Sequence, residues 1–143
     1  MANLNDLANR IDKVPTKIGM QVVELKRQIV IAIVTDLAYK TPVDTSQALS
    51  NWDVSTGQPI TVKHGPYFAG FAGSTKGVSA IETIARAVQA AKLFKPNETA
   101  YIANNQPYIR KLNDGWSAQA PAGFAQRAVL IGRKTMQQFK LKV

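Results

Sequence analysis

LNDLANRIDKVPTKIGMQVVELKRQIVIAIVTDLAYK, Leu4 to Lys40, is the stretch that decides the fold. Leu4, Leu7, Ile11, Val14, Ile18, Val22, Leu25, Ile29, Ile33 and Leu37 recur in steps of three or four, which is the period of an α-helix. Two residues disturb the pattern. Pro15 has no backbone N–H and pushes Val14 out of the helical region, and Gly19 weakens the next turn. The sequence therefore predicts a short first helix, a break near Pro15, and a long helix to about Tyr39. The β-branched run from Gln28 to Val34 also fits a buried strand, but the flanking periodicity favours helix.

Working outward, Thr41-Pro42 stops the helix, because the residue before proline is driven extended. Asp44 or Thr45 is placed to cap the turn that follows. Trp52 to Thr56 alternates as a strand, and Ile60 to Lys63 is a second candidate. Residues 57–77 are rich in glycine and proline yet hold Tyr67, Phe68 and Phe71, so they read as a long partner-docking loop. Ser79 with Glu82 forms a capping box opening another helix, with Ile81, Ile84, Ala85, Val88 and Ala91 on one face. Ala100 to Asn104 reads as a strand, and Tyr108 to Leu112 as a short strand or helical turn. Pro121 opens a final helix whose inner face is Phe124, Ala128, Ile131, Thr135 and Phe139. The expected fold is one α+β domain over residues 1–143. A long N-terminal helix and a C-terminal helix pack on a small antiparallel sheet, with 1–19 as an extension.

The composition removes several kinds of chemistry. The chain has 143 residues, enough for one core. It has no cysteine, so disulfides, cysteine–zinc sites and thiol nucleophiles are excluded. Its one histidine, His64, excludes sites that need two imidazoles. The longest apolar run, Ile29 to Val34, is far short of a membrane span. The first twenty residues lack the apolar core of a secretory signal, so an intracellular protein is expected.

Few residues suggest catalysis. His64 fits a general base oriented by Asp44 or Asp53, but no Gly-x-Ser-x-Gly supports a serine partner. Asp44 and Asp53 are the acids best placed to meet, and no tight carboxylate cluster exists. Gly70 and Gly73 lack the Lys-Ser/Thr ending of a phosphate loop. No catalytic residue, metal or cofactor is expected. What remains is large side chains in turn-like settings: Trp52 reads as core, while Tyr67, Phe68, Phe71, Tyr108 and Trp116 are candidates for a subunit interface.

Lysine and arginine number 18 against 9 acids, a net charge of +9. No acid interrupts the series Arg127, Arg133, Lys134, Lys140 and Lys142. Such a segment suits nucleic acid, an acidic partner, or simple solvation.

Two segments together resemble a known family. One is Thr41-Pro42-Val43-Asp44-Thr45, continued by Ser50-Asn51-Trp52. The other runs through Tyr101-Ile102, Asn104-Asn105, Pro107-Tyr108-Ile109, Leu112-Asn113-Asp114-Gly115-Trp116-Ser117, Gln119-Ala120-Pro121 and Gly123-Phe124. They are similar to the tail-completion or neck proteins of tailed bacteriophages, the minor tail protein Z type. The family pattern usually has glycine at Ser46, and often arginine at Gln47 and leucine at Gln106. The resemblance implies a structural virion component, assembled in the host cytoplasm and placed at the head–tail junction. It implies a homo-oligomeric ring that meets the head connector or adaptor and the tail tube or tail terminator, without catalysis. On that reading Arg133, Lys134, Lys140 and Lys142 are candidates to face packaged DNA or an acidic neighbour. The alternative is a small basic nucleic-acid-binding protein, whose affinity falls steeply with salt.

Overall fold

The computed structural model describes residues 3–142. One helix, α1 (Leu4–Lys40), is the spine of the molecule. After it come α2 (Gln47–Ser50), β1 (Trp52–Thr56), α3 (Lys76–Ala91), β2 (Ala100–Asn104), α4 (Ile109–Asn113) and α5 (Phe124–Gln138). Both α3 and α5 pack along α1. The strands β1 and β2 form an antiparallel ribbon in which Trp52 pairs with Asn104, Val54 with Ile102 and Thr56 with Ala100. The α+β architecture is the one the sequence predicts.

The spine does not break at Pro15. Proline's fixed φ is itself helical; what it removes is the hydrogen bond to the carbonyl of Ile11. Both residues are exposed there, so water serves that carbonyl. Asn3 caps the helix: its side chain accepts from the Asp6 N–H at 3.0 Å, and the Asp6 carboxylate accepts from the Asn3 N–H at 3.2 Å. Thr41 ends the helix in an extended conformation before Pro42.

The core has three parts along α1. Val23, Val30 and Val34 meet Val54, Ala87, Ala91 and Phe94. Leu37 meets Ala120, Phe124 and Ala128. Ala38 meets Val43, Leu49 and Ala80. With helices on two sides, the buried face of α1 is wider than its apolar stripe, and it takes in Val23, Val30 and Val34. The stripe from Leu4 to Ile11 is left exposed.

Five further expectations are corrected. Ile60 to Lys63 forms no strand; the Ile60 carbonyl accepts from the Asn105 side chain rather than from a ladder partner. Helix α3 starts at Lys76, and its Ser79–Glu82 capping box does not form: Ser79 Oγ donates to the Phe68 carbonyl and Glu82 pairs with Arg86. The buried face of α3 is Ser79, Ala80, Thr83, Ala87 and Ala91, while Ile81 and Ala85 point to solvent. Small side chains let α3 approach the spine closely. Helix α5 starts at Phe124, after Gly123 in the left-handed region, and Pro121 lies in the preceding loop. Its inner face is Phe124, Ala128 and Gly132, with Ile131 exposed and Thr135 and Phe139 half-buried. A Cβ on Gly132 would come within 2.6 Å of Ile33 Cδ1, so glycine sets the spacing of α1 and α5.

Basic residues of α1 tie down the ends of its partners. Lys26 Nζ donates to the carbonyls of Lys95 and Glu98 at 2.9 and 2.6 Å, and Arg27 Nε donates to the Ala91 carbonyl at 2.9 Å. Arg27 thus occupies a carbonyl that the end of α3 leaves open, while Lys26 holds the loop between α3 and β2. The Lys142 N–H donates to Gln21 Oε1 at 2.6 Å, and Gln21 Nε2 donates to the Lys142 carbonyl.

Candidate functional site

The two segments that carry the family resemblance meet around the turn from Thr41 to Ala48. Polar side chains link them, both across the two segments and within the first. Gln119 accepts from the Val43 N–H and donates to the Val43 carbonyl, both at 2.8 Å. Trp52 Nε1 donates to Thr41 Oγ1 at 2.8 Å, and Asn104 Nδ2 donates to the Ala48 carbonyl at 2.8 Å. A pocket of about 220 Å³ lies between them, lined among others by Asp44, Ser46, Tyr108, Leu112 and Ser117. Burial first, then the nearby Asp44 carboxylate, raises the Tyr108 phenol above its ordinary value.

Polar side chains also pin the long loop to this turn. Asn51 is fully buried. Its Oδ1 accepts from the His64 N–H at 2.9 Å and its Nδ2 donates to the His64 carbonyl at 2.8 Å. Gln47 Nε2 donates to the same carbonyl at 2.6 Å, and Ser50 Oγ accepts from the Tyr67 N–H. Asp44 and Thr45 do not cap a helix. Instead Asp44 Oδ1 accepts from the Ala72 N–H at 2.9 Å, and its carbonyl accepts from Gly73. The residue before α2 is Ser46, left-handed at φ 66°. That conformation favours glycine over a residue with a side chain. Here Ser46 Oγ compensates with a 2.9 Å hydrogen bond to Thr75 Oγ1.

The five interface candidates divide into two groups. Phe71 is 87% exposed and Trp116 73%. Phe71 neighbours Ala72, which bonds Asp44, and Trp116 neighbours Ser117, which lines the pocket with Tyr108. These three aromatics therefore surround the Thr41–Ala48 turn. Lys111 Nζ sits 4.7 Å over the Trp116 ring, a cation–π contact that holds the indole outward. Phe68 is exposed on the loop. Tyr67 goes elsewhere, half-buried between the His64 ring at 5.1 Å and the Arg86 guanidinium at 4.4 Å. Burial, and then the charge of Asp53, push the Tyr67 phenol up.

Of the two orienters expected for His64, the structure selects Asp53. His64 Nε2 lies 3.2 Å from Asp53 Oδ1, and Nδ1 lies 2.8 Å from the Gly65 carbonyl. Both ring nitrogens therefore face oxygen acceptors, one on the Asp53 carboxylate and one on the Gly65 carbonyl. Burial raises the Asp53 carboxyl above its ordinary value, opposed by the hydrogen bond and charge of His64 and by Arg86. Asp53 Oδ2 is buried with no partner, as is Gln106 Nε2. Asp44 and Asp53 hold different points of the same loop, Ala72 and His64, and share no partner. No group of three possible metal ligands occurs among the described residues.

Arg133, Lys134, Lys140 and Lys142 are all exposed, and none pairs with an acid among the described residues. They do not lie on one helix: α5 ends at Gln138, and the chain then runs extended to dock Lys142 on Gln21. The signal that sequence reading missed is the buried polar set Thr41, Ser46, Ser50, Asn51 and Thr83. Its long-range bonds have no local signature. No helix among the described residues is long and apolar enough to cross a membrane. No protein-family model, curated protein or solved structure matches the chain.

Proposed function

We propose that this chain is a structural, non-catalytic subunit of the neck of a tailed bacteriophage. In this reading it is a ring-forming tail-completion protein that joins the head connector to the tail. The observation that carries the reading is what the family-like residues do. Asn104 and Gln119 are occupied in clamping the two segments together, Trp52 is bonded to Thr41 within the first, and Phe71, Tyr108 and Trp116 are left on the surface around them. Exposed aromatics on a rigid turn suit a protein contact. The test is electron microscopy of lysates from a phage with this gene disrupted. Filled heads and free tails, or heads leaking DNA, are expected. Normal joined particles overturn the reading.

A second reading, a nucleic-acid-binding protein, is favoured by the four unpaired basic residues at the C-terminal end. It predicts DNA affinity that falls steeply as salt rises. Absence of binding by the isolated chain at low salt removes it.

A further inference from the structure

The pocket at the Thr41–Ala48 turn holds a negative charge that its own chain leaves unanswered. Asp44 is the one charged residue in its lining. It is exposed and pairs with no cation among the described residues. Its Oδ1 is held by the Ala72 N–H, which leaves Oδ2 uncommitted. Gln47 uses Nε2 on the His64 carbonyl and keeps Oε1 as an acceptor. Thr45, Ser117 and Tyr108 add hydroxyls, and Pro42, Val43 and Leu112 supply apolar wall. Acceptors beside an apolar wall suit the charged head and aliphatic stem of a lysine or arginine. A space of about 220 Å³ holds one such side chain and no folded segment. Other grooves with an acid are already balanced. The one at Asp36 also carries Lys40 and Arg127, and Glu24 is paired with Arg27.

The chain carries the matching half. No acid follows Asp114, and Lys140 and Lys142 are exposed without an acidic partner among the described residues. They lie far from the pocket, because α5 runs back along the spine. Phe124 packs with Leu37, Gly132 lies against Ile29 and Ile33, and Lys142 docks on Gln21. Gln21 and Lys40 are about 29 Å apart along α1. The basic end therefore cannot reach its own pocket. Acceptor and donor sit on different parts of the surface, which is the arrangement of a head-to-tail contact between copies.

We propose that the Asp44 pocket is a binding site for a basic side chain of a second copy of this chain, supplied by its C-terminal end at Lys140 and Lys142. The inference rests on the neck reading's assignment of this surface to a protein contact, and names what that contact grips. Each copy offers one pocket and one basic end, so the contact repeats and closes into a ring where the rotation allows.

Sedimentation velocity of the full chain, from micromolar to hundreds of micromolar, tests it. Association that grows with concentration, passes beyond a dimer and weakens with salt is expected. Asp44→Asn keeps an oxygen for the Ala72 N–H and removes the charge. It is expected to weaken association about tenfold at an unchanged thermal melt. Lys140→Glu with Lys142→Glu leaves the backbone bonds to Gln21 in place and weakens association similarly. Each variant retains one intact half, so an equimolar mixture of the two is expected to form one-to-one pairs and nothing larger. Monomers at every concentration of wild type overturn the proposal. So do association unaffected by Asp44→Asn or by the paired lysine changes, and a mixture that stays monomeric. Unjoined heads and tails from the disrupted phage, with a chain that never associates, keep the neck reading and overturn this one. Association that depends on Asp44, with normal joined particles, keeps this contact and overturns the neck reading.

Discussion

The side-chain amide of Gln119 closes a two-way hydrogen bond with the backbone of Val43, 76 residues away, at 2.8 Å in each direction. It joins the turn after α1 to the loop before α5. Val43 is buried, so losing the amide strands both an N–H and a carbonyl. Gln119→Ala is expected to cost about 1–3 kcal/mol, read as a lower urea midpoint at unchanged slope. Gln119→Glu keeps the acceptor but faces the Val43 carbonyl with a carboxylate, so it destabilises as well. An unchanged midpoint in both variants removes the clamp from the account.

Ser46 separates conformational strain from hydrogen bonding. Ser46→Gly relieves the left-handed backbone but gives up the bond to Thr75, and the two effects, each about 1 kcal/mol, nearly cancel. Ser46→Val keeps the strain, adds branching and loses the bond, so a loss of about 2 kcal/mol or more is expected. Equal melting temperatures for Ser46→Val and wild type would show that the turn is not strained.

Asp53 gives the stability a defined pH dependence. Burial raises its folded pKa above the ordinary 3.8, so the folded state holds this proton more tightly than the unfolded chain. The resulting stabilisation is present below the unfolded value and is lost as the pH rises through the raised folded value. Asp53→Asn has no charge to bury and can still accept from His64. Its stability relative to wild type is therefore expected to be more favourable at about pH 7 than at about pH 4. Urea unfolding at the two pH values measures this, and a constant difference contradicts it.

Phe71 and Trp116 touch little of their own chain. Replacing both with serine is expected to change stability by less than about 0.5 kcal/mol. If the neck reading holds, the same variant blocks joining of heads to tails. Complementation of the disrupted phage, scored by infectious titre, measures this. Full titre places the joining surface elsewhere on the molecule.

Much of the fold is legible in the sequence because its signals are local. The helical stripe, the Thr41-Pro42 stop and the alternation at Trp52 to Thr56 and Ala100 to Asn104 each depend on neighbours within a few residues. Pro15 misleads because the rule assumes a helix interior where the orphaned carbonyl is buried, whereas here water reaches it. The inner face of α3 misleads because Ala80 and Ala87 are weak apolar markers, and only Ala91 of the buried alanines is foreseen. The His64–Asp53 contact is foreseen as one of two options. The bonds from Asn51, Gln119 and Asp44 span 13 to 76 residues, and nothing beside those residues announces them.

The unbroken course of α1 through Pro15 has a mechanical consequence. No joint separates its largely exposed arm, Leu4 to Lys17, from the part of the helix on which α3 and α5 are built. Whatever grips the arm therefore steers the entire body, as a rod steers what is fixed to its end. Over about 21 Å of lever, a sideways play of about 1 Å at the tip turns the body by only about 3°. A break at Pro15 would have turned the arm into a tether, which fixes distance but leaves heading free. As built, the arm and the body share one heading, so any grip on Leu4 and Leu7 would also set the direction in which Phe71 and Trp116 face.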